Sequence, residues 1–164
     1  KAVKGLVVVT VELEEVMEAL LEFRVPNSWS NCYPSTKPLG SWFRDMLHRV
    51  AFFDSWIHKE LPTSFWLPAL TYPTGFLTAL FQTSARKNGI AIDTLSWEFP
   101  VLDHNMPDSI HEHPKEGAYM YGMVLEGAQW SYEAEALTDP APMQLFSAMP
   151  IVHFKPVEGK RKSK

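Results

Sequence analysis

The chain has little of what would make a catalytic or membrane protein easy to name. It carries one cysteine, Cys32, so no disulfide can form within it, and this expectation fits a reducing compartment. No apolar run approaches the roughly 20 residues of a membrane span, and the short apolar start "KAVKGLVVVTVELEE" lacks the core and cleavage pattern of a signal peptide. Basic residues are not in excess: the net charge of −4 argues against a nucleic-acid binder. A soluble, intracellular protein without nucleic-acid or membrane partners is the expectation. Glycine motifs are missing too. Gly117, Gly122 and Gly127 are evenly spaced, but no lysine follows to complete a phosphate cradle. Neither a Gly-x-Gly-x-x-Gly fingerprint nor a Gly-x-Ser-x-Gly nucleophile elbow occurs.

What is present is aromatic surface. At 164 residues the protein is the size of one domain, and six Trp, ten Phe and five Tyr are more large rings than a domain of this size covers with ease. Large aromatics are enriched at the centres of protein interfaces, which points to a partner surface.

Periodicity divides the sequence into helices, then strands. In "VELEEVMEALLE" (11–22), Leu13, Val16, Met17, Leu20 and Leu21 recur at helical spacing, with Thr10 placed to cap and the glutamates turned outward, near the positive end of the helix dipole. Pro26 is expected to stop this helix. Residues 25–38 read as an extended linker, pinned to a core by Trp29 and Tyr33. In residues 39–59, Leu39, Trp42, Phe43, Met46, Leu47, Val50, Phe53 and Ile57 form one apolar stripe, with Arg44, Asp45 and Arg49 outside it. Three prolines break "LPTSFWLPALTYP" (61–73) into extended or turn segments. A third helix is predicted over 74–88 with Gly89 as its stop. Thereafter the period becomes two. A strand is predicted over 90–101, two more over 118–130 and 131–139 with Gly127 near their turn, and a last one over 149–157 before a basic end, "GKRKSK". The fold class is therefore α+β: N-terminal helices (1–89) followed by a small, mostly antiparallel, incomplete β-barrel or sheet (90–164).

Two constellations could carry chemistry. The polar loop 103–117 holds His104, His111 and His113, and imidazole is a common zinc ligand. A structural zinc site needs four rigid ligands, and this loop has no cysteine. A metal-dependent enzyme using residues 104–113 is one alternative reading, and an autonomous protein-binding module is another. His48, His58 and His153, with Asp45, Asp54 and Ser55, contain the residue types of a triad, but spacing supplies no triad geometry.

Six ordered blocks, "KGLVVVTVELEEV", "YPSTKPLGSW", "PTSFWLPAL", "GFLTALFQTSARKNGIAID", "YGMVLEGAQW" and "MPIVHFKPV", resemble the C-terminal domain of dynein heavy chains, most of all the axonemal type. They span nearly the whole sequence. The resemblance implies a non-catalytic structural or regulatory domain lying against the AAA+ ring of a microtubule motor, in the cytoskeleton of cilia and flagella. It implies no catalytic residue and no cofactor in this segment, with ATP and magnesium bound elsewhere in the parent heavy chain. Its implied partners are the ring modules, intermediate and light chains through the parent complex, and microtubules only indirectly. The ring contacts expected on this reading are Trp42, Phe43, Trp56, Phe65 and Trp66. The family continues past "HFKPV" with further barrel strands, so a fragment or a sheet with an unpaired edge is also implied.

Overall fold

The computed structural model describes residues 1–33, 35–103 and 106–159, in two compact units, Lys1–Glu60 and Leu61–Lys164. In the first, α1 (Val11–Leu21) begins where expected: the Thr10 hydroxyl accepts the Leu13 N–H. It ends before Pro26 is reached. Phe23 adopts φ 56°, and the N–H groups of Phe23 and Arg24 donate to Leu20 and Ala19, closing the helix in the manner usually given to a left-handed glycine. Leu13, Val16 and Met17 are half-buried and Ala19 is buried, whereas Leu20, Leu21 and Phe23 are exposed.

The expected linker 25–38 contains a helical turn, α2 (Asn27–Ser30). Its aromatics do pin it. Trp29 stacks on Trp42 at 5.8 Å, Tyr33 lies 5.8 Å from the same ring, and the Trp42 indole N–H donates to the Tyr33 carbonyl at 2.9 Å. Trp42 belongs to α3 (Leu39–His58), the longest helix. The Arg49 guanidinium sits 3.8 Å over the Tyr33 ring, and Asp45 pairs with Lys37. The helix face packed by the preceding segment is therefore built on Trp42, Asp45 and Arg49, two of which periodicity puts outside the packed stripe.

The second unit holds the strands and one helix, α4 (Pro73–Asn88), which ends at Gly89 with φ 65° as predicted. Its main sheet has the order β1 (Ser64–Trp66), β3 (Ala118–Tyr121), β8 (Val152–Glu158), β2 (Leu95–Glu98). β1 runs parallel to β3, and the other pairs are antiparallel. Two short two-stranded sheets complete it, β4 (Val124–Glu126) with β7 (Phe146–Ala148) and β5 (Gln129–Ser131) with β6 (Ala136–Thr138). The fold is α+β, and none of the described sheets closes into a barrel.

Several strands differ from expectation. The Pro-rich segment 61–73 contributes a wholly buried strand, β1. Residues 90–101 form a tight turn over Ile92–Thr94 before β2, so Ile92 and Phe99 are exposed while Leu95 and Trp97 point inward. Residues 118–130 are three strands rather than one, because Gly122 (φ 87°) and Gly127 (φ 66°) turn the backbone between them. Trp97 stacks on Phe81 of α4 at 4.1 Å, and Met120 and Ile151 are fully enclosed at the centre. β1 is buried on both faces, whereas β3 alternates, with Ala118 and Met120 buried and Tyr119 and Tyr121 half-buried.

Candidate interaction surface

Among the described residues no group of three or more His, Cys, Asp and Glu side chains is placed to hold a metal ion. His111 and His113 are exposed in the segment that follows the turn Pro107–Ser109, and His104 lies outside the described residues, as does the basic end beyond Gly159. Other histidines have local partners. His58 Nδ1 lies 3.2 Å from Asp54 one helical turn away, and His153 Nε2 lies 2.7 Å from the Glu116 carbonyl. Asp45 is engaged by Lys37 and by the Tyr33 hydroxyl.

The tightest polar cluster joins α4 to the start of β3. Glu116 accepts a hydrogen bond from Ser84 at 3.0 Å and pairs with Lys87 at 2.8 Å; Lys87 also donates to the Lys115 carbonyl. The bond from Lys87 holds the Glu116 carboxyl below the ordinary glutamate range, with Ser84 and Asn88 helping and partial burial opposing. These polar groups are engaged with one another, so the cluster clamps a helix to a sheet. Burial, with the nearby Asp108 carboxylate adding to it, pushes Tyr121 up, keeping that phenol neutral.

The feature left over is apolar. Along α3, Phe43, Leu47, Val50 and Ile57 are 49%, 56%, 58% and 74% exposed, at i, i+4, i+7 and i+14. These positions share one helix face. They lie about 100° around the axis from Trp42, whose face is covered by the 26–38 segment. In the same unit Val3, Leu6, Val8, Val11, Leu21 and Phe23 are exposed as well. Several large apolar side chains exposed on one helix face make that face the candidate interaction surface.

The five aromatics singled out from the sequence divide accordingly. Phe43 stands on the open stripe. Trp56 is half-buried and stacks on Phe53 at 6.0 Å. Trp42, Phe65 and Trp66 are buried; Phe65 meets Phe76 at 5.0 Å, and Trp66 lies directly against the backbone of Gly122. Leu47, Val50 and Ile57, which the sequence pattern puts on the same apolar stripe as Trp42, are the members of the open surface that periodicity alone does not single out.

Residues 1–164 match, along their whole length, the family described as the C-terminal domain of the dynein heavy chain. The protein belongs to that family. It is 45% identical over 163 residues to the dynein-1-beta heavy chain of the flagellar inner arm I1 complex of Chlamydomonas reinhardtii. It is 43% identical over 164 residues to dynein axonemal heavy chain 2 of Mus musculus and 41% over 162 residues to dynein axonemal heavy chain 1 of Rattus norvegicus. Each alignment takes in 98–99% of this sequence but 4% of the relative. This dynein C-terminal domain thus spans a small part of the length of the curated heavy chains it matches.

Proposed function

We propose that this domain is a non-catalytic structural and regulatory part of an axonemal dynein heavy chain, and that it packs against the AAA+ ring of the same heavy chain through the open stripe of α3. The observation that carries the proposal is the run Phe43, Leu47, Val50 and Ile57, exposed on a helix whose adjacent face is already packed. A stripe of large apolar side chains is suited to another protein surface. Family membership supplies the candidate surface, since the part matched is only 4% of each relative. On this reading Phe43 and Trp56 make contact and Trp42 holds α3 from its packed side, while Phe65 and Trp66 belong to the core of the second unit.

ATP and magnesium are bound elsewhere in the heavy chain, and microtubules are engaged there too. Intermediate and light chains associate through the parent complex, in the axoneme of a cilium or flagellum. The domain acts on movement by stiffening or restraining the ring. The test is a heavy chain with Phe43→Ser and Leu47→Ser. We expect altered microtubule-gliding velocity and a lower ring unfolding temperature, with nucleotide binding intact. Wild-type velocity together with wild-type ring stability would overturn the proposal.

A further inference from the structure

The second unit contains a cleft of about 360 Å³ that the ring-packing reading does not use. Its lining combines three aromatic rings, Phe99, Trp130 and Tyr132, with two carboxylates, Asp103 and Glu135. Pro100 and Val101 complete the floor, and no lysine or arginine is among the described residues that line it.

Both sides of the cleft are held in place. The floor is tied to β8 and the residue before it: the His153 N–H donates to the Pro100 carbonyl at 2.8 Å, the Leu102 N–H donates to the Ile151 carbonyl at 2.9 Å, and Val101 bridges Val152. The Phe99 ring is braced edge-on by Phe154 at 5.0 Å and lies along Trp97 at 6.3 Å. The opposite wall is the β5–β6 hairpin, in which Trp130 pairs with Leu137 and the Ala134 N–H donates to the Ser131 hydroxyl, fixing the turn that carries Tyr132 and Glu135.

We propose that this cleft binds an arginine side chain presented by a partner protein. A guanidinium is planar and weakly hydrated. It stacks on aromatic faces and offers a fork of N–H donors to carboxylates. Aromatic rings and carboxylates lining the same cleft match those two properties, whereas a neutral apolar side chain would bring no counter-charge to Asp103 and Glu135. A lysine ammonium would satisfy the charge but not the stacking. The cleft volume lies within the usual range for small-ligand sites, so the site suits one side chain and its flanking backbone rather than a folded element.

The test is a titration of the 15N-labelled protein with three capped tripeptides, Gly-Arg-Gly, Gly-citrulline-Gly and Gly-Lys-Gly, following the Trp130 indole N–H signal. We expect saturable movement with the arginine peptide, at least tenfold weaker binding of the citrulline peptide, and several-fold weaker binding of the lysine peptide. Asp103→Asn with Glu135→Gln should weaken arginine binding at least tenfold. Phe99→Leu should weaken it several-fold while leaving the charges in place. The Trp97 indole signal reports that each variant is folded. Equal binding of arginine and citrulline, equal binding of arginine and lysine, or no movement at Trp130 would each overturn the assignment. None of these outcomes bears on ring packing by α3, which lies in the first unit.

Discussion

Two turn glycines of the second unit differ in the space around them. A Cβ on Gly122 would lie 2.4 Å from Trp66 Cδ1 and 2.6 Å from its Nε1, in a backbone at φ 87°. Gly127 also has a positive φ, 66°, but nothing lies within 4 Å of its Cβ position. Gly127→Ala should therefore cost about 1 kcal/mol from the backbone alone. Gly122→Ala should cost about 2–4 kcal/mol, since overpacking adds to the same strain. Urea unfolding of the two variants separates them; equal costs would show that Trp66 yields freely. Glu116 gives a pH signature. Its pKa is depressed in the folded state, so the clamp contributes stability above the unfolded glutamate value of about 4.3 and loses it as pH falls through the lower folded value. Glu116→Gln should therefore destabilise the protein near neutral pH, and the gap from wild type should shrink below pH about 4. A gap that is constant with pH would assign the effect to packing instead of charge.

At the scale of elements, helices are legible in the sequence and strands much less so. Thr10 capping α1 and Gly89 ending α4 are local signals, written within a turn of the residues they govern. β1 has no such signal. It is three residues, Ser64–Trp66, whose partner β3 lies more than fifty residues on, and parallel pairing across that distance leaves no mark in the local pattern. The strands after residue 117 are legible as β and Gly127 as near a turn, but not the break at Gly122, whose letter does not reveal the positive φ that turns the backbone there. α3 shows a different limit. Its stripe is visible, but periodicity identifies an apolar face without saying whether this protein or another covers it. Trp42 is covered by Trp29 and Tyr33, while Phe43, one residue on, is open. Phe43→Ser and Leu47→Ser should accordingly change the stability of the protein by itself by less than about 1 kcal/mol each, far from the roughly 2–5 kcal/mol of a core truncation. A core-sized loss in thermal unfolding would mean that the stripe packs internally.

For the whole molecule, the first unit leaves an apolar face of α3 open, while in the second the Glu116 clamp fastens α4 to the start of β3. Membership of the family of dynein C-terminal domains relates the protein to heavy chains many times its length. The central claim is that α3 is covered by the rest of such a heavy chain. Hydroxyl-radical footprinting of the native full-length heavy chain tests it most directly, with Phe43 and Leu47 compared with the same residues in denatured protein. Strong protection of both in the native heavy chain is the predicted result. Modification at the rate expected of side chains about half exposed, as they are in the domain by itself, would contradict the account.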